Sequence, residues 1–207
     1  RLPVARTMES LAKASPEEFC FWVKANQKTT HQLDRSVAGP FIEALQPLWD
    51  SGKLGGVLLQ FPQGFHRTTE NRRHLQQTIE DFAGLNPAVE FRHASWDHPA
   101  VLEGLRDRQV TLVIPDVPPI QGLYRPPPIL TSSTGYLRLH SRDPDKWYAG
   151  AAAKYDYDYS DQELMGIAGQ WLDLAEKASG VCVFFNNCHH GQAAKNAQRF
   201  RQIAGCL

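Results

Sequence analysis

Residues 135–140, GYLRLH, alternate leucines with one aromatic and two ionisable side chains. In an extended strand this order places Tyr136, Arg138 and His140 on one face and the two leucines on the other. The leucine face has to be covered by an apolar layer such as a helix, because burying apolar surface is the main driving force of folding. The stretch therefore predicts a buried strand whose opposite face carries charged groups, as in the strands of an α/β barrel.

Five other apolar runs also contain or end at polar or charged side chains. They read FCFWVK (19–24), VLLQFP (57–62), AVEFR (88–92), TLVIPD (111–116) and VCVFFNN (181–187). Each of the six runs is followed by a loop and a helical pattern, and this alternation is typical of parallel βα units. We therefore predict an α/β fold, a TIM-type (β/α)8 barrel in which six of eight strands are identifiable. Its site should lie at the carboxyl ends of the strands.

Apolar spacing and capping signals predict the elements between these strands. We expect a short helix at 15–18 and longer helices at about 39–51, 69–82, 98–108, 160–178 and 192–204. Two long connections, 117–134 with five prolines and 141–159 with several tyrosines, are predicted to be irregular. Long ordered loops in compact domains are often functional. The tyrosines of the second loop can either cover a ligand or pack the loop against the fold, and packing is the commoner use.

The overall composition restricts the classes of partner. A length of 207 residues predicts one domain spanning 1–207. Lys plus Arg and Asp plus Glu number 22 each, so no long-range field would attract nucleic acid or an anionic membrane surface. No apolar stretch reaches the roughly 18 residues needed to cross a bilayer, and RLPVARTMES lacks the apolar segment of a signal peptide. We therefore expect neither a membrane nor a nucleic acid as partner.

The four cysteines show no metal-binding pattern. Cys20, Cys182, Cys188 and Cys206 form no CxxC pair and have no zinc-ligand spacing. Cys20 and Cys182 fall inside predicted strands, where a small thiol packs as a hydrophobe. We expect all four to be reduced, and the protein to be cytoplasmic.

The strand ends supply a set of ionisable side chains for a site. Alternation in AVEFR puts Glu90 and Arg92 on the face opposite to Val89 and Phe91. Buried charges must be paired, hydrated or bound to a ligand. The three cations Lys24, Arg92 and Arg138 face only two carboxylates, Glu90 and Asp116. The sequence therefore predicts a pocket with net positive charge that suits a small polar or anionic ligand.

Three residues are candidates for catalysis, namely Glu90, His140 and Asp116. Glu90 and His140 would transfer protons, since imidazole titrates near neutrality, and Asp116 would orient His140. Structural roles are open for each of them: Glu90 and Arg92 can form an ion pair that braces neighbouring strands, and His140 can simply hydrogen-bond Asp116 or Asn186. A metal held by Glu90, Asp116 and His140 is a further alternative, although no HxH or HExxH spacing supports it.

Six residues are candidates for binding the substrate: Lys24, Gln60, Arg92, Arg138, Asn186 and Asn187. Lys24 can bind an anion, form a Schiff base or form a salt bridge, and we favour anion binding because a Schiff base needs a depressed pKa. Asn186 and Asn187 can bind a ligand through their amides or hydrogen-bond the start of the last helix. His31 can reach the site or cap its own loop. The sequence indicates no particular cofactor and leaves the oligomeric state open.

The chain resembles the YecE-like, DUF72 family, a group of TIM-barrel proteins without an assigned biochemical role. The resemblance covers nearly the whole chain, and the order of the matching stretches makes it specific. They are RLP followed by a helix, then VKANQKTTH, GVLLQFP, VEFRHASW, GYLRLHSR, the YDYDYS segment before its helix, and FFNNCHHGQAAKNA. The resemblance implies a closed barrel, a site at the carboxyl ends of its strands and a bacterial-type cytosolic protein. It supplies no catalytic residue to transfer.

The chain departs from the family pattern at two places. The pattern has further residues before RLP that supply two strands and the helix between them, so we expect an amino-terminal segment of roughly 50 residues to be missing from the sequence. The family often has Gly where Ser141 stands, and His with an aromatic residue where Cys188 and His189 stand. The second departure concerns the role of that loop and leaves the fold prediction unchanged.

The first functional hypothesis is a barrel enzyme that acts on a small polar or anionic metabolite by acid-base chemistry. Two alternatives stay open. One is a non-catalytic barrel that binds a small anion or serves as a scaffold, with the charged cluster as a structural network. The other is a metal-dependent nucleic-acid-processing barrel, against which the balanced charge and the absence of a basic stripe both count.

Overall fold

The structure is a computed structural model that describes residues 2–205. Backbone contacts divide the chain into two compact units, Arg1–His93 and Ala94–Leu207, here called the amino-terminal and carboxyl-terminal units. The two units together contain six strands and eight α-helices among the described residues. The prediction of a single domain stays a prediction.

The amino-terminal unit is a three-stranded parallel sheet with its connecting helices. Its elements are α1 (Ala5–Ala14), β1 (Phe21–Lys24), α2 (Gln27–His31), α3 (Ala38–Asp50), β2 (Leu54–Gln60), α4 (Thr69–Asp81) and β3 (Pro87–Glu90). Strand β1 pairs with β2, and β2 pairs with β3. The α4 helix begins at a cap, because the Thr68 hydroxyl accepts a hydrogen bond from the Asn71 amide at 3.1 Å.

The carboxyl-terminal unit repeats this arrangement. Its elements are α5 (Pro99–Asp107), β4 (Thr111–Asp116), β5 (Thr134–Leu139), α6 (Ala151–Lys154), α7 (Asp161–Ala175), β6 (Gly180–Phe185) and α8 (Gln192–Ala204). Strands β4, β5 and β6 are parallel, with β5 in the middle. The predicted capping box begins α7: the Glu163 amide donates to the Ser160 hydroxyl, and the Ser160 amide donates to the Glu163 carboxylate.

All six predicted strands and most predicted helices are present, and the long loops are largely irregular. The short helix predicted at 15–18 is wrong, because Ser15 is the carboxyl-terminal cap of α1 and the residues after it form a turn. The family resemblance, which has a helix after RLP, agrees with α1, whereas the sequence prediction missed the short helices α2 and α6 and several single turns of 3₁₀-helix. Helices this short bury few apolar residues, so they leave little periodicity in the sequence.

The described cysteines are free thiols. Cys182 lies in β6 and is half-buried, whereas Cys20 precedes β1 and is exposed, so its predicted place inside a strand is wrong. Cys206 lies outside the described residues. No helix within residues 2–205 combines the length and the apolar character needed to span a membrane.

A buried histidine makes the stability of the amino-terminal unit depend on pH. The His74 ring packs under α2, where Nε2 lies 2.9 Å from the Thr29 carbonyl oxygen and donates to it. Burial lowers the His74 pKa below its usual value of 6.5, despite the opposing effect of the Thr29 carbonyl. The unfolded chain therefore takes up this proton at a higher pH than the folded chain does.

We expect His74→Gln to flatten the dependence of the unfolding free energy on pH. For a group whose pKa is lower in the folded state, stability is fully present above the unfolded pKa and is lost as the pH falls through the window between the two values. The window for His74 therefore begins near pH 6.5 and extends downward. Urea unfolding of both proteins at several pH values between about 5 and 7.5 measures this slope. Equal slopes would contradict the role given to His74.

Candidate functional site

Three polar side chains emerge from the same face of the amino-terminal sheet. Gln60 is opposite Glu90 in the register of β2 and β3, and Lys24 is opposite Leu58, two residues before Gln60. Side chains two residues apart along a strand share a face, so Lys24, Gln60 and Glu90 lie side by side. The Lys24 ammonium group donates a hydrogen bond of 2.7 Å to Gln60 Oε1. The sequence prediction that these strand ends meet is confirmed within this unit.

Arg92 forms an ion pair with Glu90, the most buried side chain of this group. Its Nε lies 2.6 Å from Glu90 Oε1, and the two side chains are 10% and 0% exposed. Glu90 is therefore a carboxylate without solvent access, held beside a guanidinium group that is itself largely buried. Such a pair stabilises the charged form of each partner, but desolvation offsets much of the gain in energy.

His31 is a further member of the group that sequence reasoning considered but did not select. It ends α2, and its Nδ1 lies 2.8 Å from the hydroxyl of the buried Thr30. His31 is an exposed residue whose ring is partly desolvated; this desolvation is the main cause that lowers the His31 pKa, and the positive charges of Lys24 and Arg92 lower it further. The imidazole is therefore neutral at pH 7. We call Lys24, Gln60, Glu90, Arg92 and His31 the Lys24 cluster.

A second polar group lies on one face of the carboxyl-terminal sheet. Arg138 Nη2 donates a 3.1 Å hydrogen bond to Asn186 Oδ1, and Asn186 Nδ2 lies 3.1 Å from His140 Nδ1. Because the side-chain oxygen of Asn186 accepts a hydrogen bond from Arg138, its side-chain nitrogen Nδ2 is the donor to His140. His140 Nδ1 is then an acceptor, which places the ring proton of the neutral imidazole on Nε2. The predicted shared face of Arg138 and His140 is confirmed.

Asp116 does not belong to this second group. It lies opposite Leu139 in the register of β4 and β5, and Leu139 is on the face opposite to Arg138 and His140. Its carboxylate accepts hydrogen bonds from Arg142 Nε at 2.9 Å, from Arg142 Nη2 at 2.8 Å and from the Tyr159 hydroxyl at 2.7 Å. The expectation that Asp116 orients His140 is therefore corrected: the side chain that contacts the His140 ring nitrogen is Asn186.

The buried side chains of Tyr159 and Asn187 hold the loop before α7 in place. Burial is the main cause that raises the pKa of Tyr159, and the neighbouring Asp116 carboxylate raises it further, so the Tyr159 hydroxyl keeps its proton and donates. The fully buried Asn187 donates from Nδ2 to the Tyr157 carbonyl at 2.8 Å and to Asn196 Oδ1 at 2.7 Å. The tyrosines thus pack the loop. Asn187 anchors it, which is a structural position for a residue predicted to bind substrate.

The positions of the potential metal ligands count against the alternative in which Glu90, Asp116 and His140 hold a metal ion. Asp116 and His140 leave opposite faces of neighbouring strands, so they are poorly placed to share a metal ion. Among the residues that the structure describes, no group of three or more His, Cys, Asp and Glu side chains is arranged to hold a metal.

Comparisons with known proteins agree with one another. The family described as "Protein of unknown function DUF72" matches residues 1–206. A curated relative, UPF0759 protein YunF of Bacillus subtilis (strain 168), is 30% identical over 220 residues, which cover 96% of this chain and 78% of the relative.

Two solved structures of DUF72 family proteins are also similar. The protein from Thermotoga maritima has a TM-score of 0.92 and 33% sequence identity, and the match covers 99% of this chain and 81% of that one. The protein from Enterococcus faecalis has a TM-score of 0.86 and 29% identity, with the same two coverages. The similarity in sequence and in structure extends over nearly every described residue, and the chain therefore belongs to the DUF72 family.

Proposed function

We propose that this chain is an enzyme built on a TIM-type (β/α)8 barrel, and that it acts on a small anionic metabolite by acid-base chemistry. Repeated parallel βα units in both halves of the chain support the barrel. The Lys24 cluster supports the chemistry, because it places cationic, acidic and neutral imidazole groups together at the carboxyl ends of β1, β2 and β3.

The packing of two cationic groups beside one buried carboxylate and an amide in the Lys24 cluster is the observation that carries the proposal. Lys24 and Arg92 both lower the pKa of His31, so both charges act at the position of that ring. The two cations are accompanied by one carboxylate, Glu90, which gives these groups a net charge of about +1 when His31 is neutral. A small anion bound there would be held by the ammonium and guanidinium groups and by the Gln60 amide.

The proton-transfer roles follow from protonation state and position. The Arg92 guanidinium favours the ionised form of Glu90, and the carboxylate is the form that can act as a base. His31 is a neutral imidazole at pH 7 and can either accept or donate. In the carboxyl-terminal unit we propose that His140 exchanges a proton through Nε2, while Arg138 and Asn186 bind polar substrate atoms and hold the ring.

We also propose a cytoplasmic location. The three described cysteines are free thiols, and free thiols persist in a reducing compartment.

A binding screen with a matched lysine control tests the proposal. Small carboxylates and phosphate esters are screened at low salt by thermal shift, and each hit is titrated by calorimetry against wild type, Lys24→Met and Lys28→Met. Lys28 is exposed, and its side chain makes no hydrogen bond among the described residues. We expect Lys24→Met to weaken binding by about tenfold or more, because one charge-assisted contact is lost, and Lys28→Met to leave it unchanged.

Turnover of the ligand found in this way then separates an enzyme from a binding protein. Glu90→Gln keeps the shape of the side chain but removes its basicity, so the folded variant should retain binding and lose activity. A ligand that binds with equal affinity to wild type and Lys24→Met would contradict the proposed site. A ligand that binds at Lys24 but is never converted would instead support the non-catalytic alternative.

A further inference from the structure

One cavity of the carboxyl-terminal unit is lined by none of the residues of the two polar groups described above. It has a volume of about 460 Å³ and lies between the proline-rich loop and α7 in the carboxyl-terminal unit. Ile114, Leu137 and Trp171 form part of its apolar lining. Leu137 lies on the face of β5 opposite to Arg138, so the cavity opens on the helix side of the sheet.

The cavity has stiff walls. Pro126, Pro127 and Pro128 line one side, and each proline ring fixes the backbone angle φ of its residue. The end of this loop is tied to β4 by the buried Thr131, whose hydroxyl accepts from the Leu112 amide at 2.8 Å and donates to the Val110 carbonyl at 2.6 Å. A pocket that is already formed binds a ligand with little cost in ordering its walls.

Arg142 lines the cavity, and part of its guanidinium group has no hydrogen-bond acceptor among the described residues. Its Nε and one Nη2 hydrogen are used by Asp116, and Nη1 lies 3.8 Å from Glu163 Oε1, which is beyond hydrogen-bond distance. The Asp116 carboxylate also accepts from the Tyr159 hydroxyl, so its oxygens are occupied. Arg142 is therefore fixed in position by Asp116 and still has hydrogen-bond donors to offer.

Arg125 adds a second guanidinium group to the same cavity. It is exposed, it lines the cavity, and it forms no ion pair with any residue of the described part of the chain. The charges of Asp116 and Arg142 compensate each other, so Arg125 gives the lining a net positive charge. The cavity thus combines apolar side chains with two arginines in a lining that exposes more polar than apolar surface, a composition that suits a ligand with an anionic head and a small apolar body.

We propose that this cavity is a second small-molecule site, and that it binds a carboxylic acid with a compact apolar body. The carboxylate contacts Arg125 and the unused donors of Arg142, and the apolar body packs against Ile114, Leu137 and Trp171. Asp116 positions Arg142 for this contact and does not touch the ligand. The proposal does not depend on the Lys24 cluster, which lies in the other unit.

The test uses 3-phenylpropionate as the probe, with two analogues that each lack one feature. Propionate keeps the carboxylate without the ring, and 3-phenylpropionamide keeps the ring without the charge. Binding is followed by the NMR shift of the Trp171 indole N–H, which is assigned with Trp171→Phe. We expect saturable binding of 3-phenylpropionate below about 10 mM, and at least roughly tenfold weaker binding of each analogue.

A matched pair of arginine variants locates the binding. Arg125→Ala removes the exposed cavity cation, and Arg106→Ala removes an exposed cation on α5 that does not line the cavity. We expect roughly tenfold weaker binding of 3-phenylpropionate to Arg125→Ala and unchanged binding to Arg106→Ala. The proposal is overturned if the Trp171 signal shows no saturable shift, if the amide binds as tightly as the acid, or if the two variants behave alike.

Discussion

Replacing Arg92 with methionine is expected to destabilise the protein by about 3–5 kcal/mol at pH 7, because it removes the guanidinium group that lies 2.6 Å from the buried carboxylate of Glu90. Methionine has a similar length and fills much of the same space, so a cavity contributes little to the loss. The unfolding free energy from urea titration measures the effect.

The same prediction can be tested with a double-mutant cycle. Glu90→Gln removes the charge with little change of shape, so the double variant Arg92→Met with Glu90→Gln lacks both charges of this ion pair. We expect it to be more stable than Arg92→Met alone. Additive effects of the two changes on the unfolding free energy would show no energetic coupling between Glu90 and Arg92. The 2.6 Å contact would then not contribute to stability.

The second large effect is expected at Gly56 in β2. A Cβ atom at this position would overlap the Asn86 carbonyl oxygen and would lie 2.5 Å from the Trp22 ring. The Asn86 backbone cannot yield easily, because Asn86 is in the left-handed conformation and its side chain donates to the Gly55 carbonyl at 3.2 Å. We therefore expect Gly56→Ala to lower the unfolding free energy by about 3 kcal/mol or more, at the upper end of the cost of overpacking.

Gly166 provides the control for this substitution. It lies on the exposed side of α7, and a Cβ atom there would meet nothing within 4 Å. Alanine favours helix over glycine, so Gly166→Ala should raise stability by about 0.5–1 kcal/mol. If the unfolding free energy lost in Gly56→Ala were smaller than that gained in Gly166→Ala, β2 would not approach the turn before β3 as closely as the structure indicates.

The strands and their faces could be predicted because period-two alternation leaves a direct trace in the sequence. GYLRLH and AVEFR each contain apolar residues that must be covered by helices, and this requirement fixes the face of Arg138 and of Glu90. The capping box at Ser160 is equally local, since both of its partners lie within four residues. Signals of this kind need no knowledge of tertiary contacts.

The partners of individual site residues could not be predicted in this way. Asp116 ends its strand, where the register of β4 against β5 decides its face, and its partners Arg142 and Tyr159 come from the loop that follows β5. Asn187 looks like its neighbour Asn186 in the sequence, yet it binds the Tyr157 carbonyl instead of a site residue. His31 was not selected because a lone histidine on a short helix gives no sign of the cations near it.

The pKa of His31, measured by NMR titration of its ring in wild type and in Lys24→Met, tests the positive potential of the Lys24 cluster most directly. We expect a pKa below 6.5 in wild type and a higher value in Lys24→Met, because removing the ammonium charge makes it easier to protonate the imidazole. Lys28→Met should leave the value close to that of wild type. An unshifted His31, or one whose pKa is the same in wild type and Lys24→Met, would contradict an anion site built on Lys24.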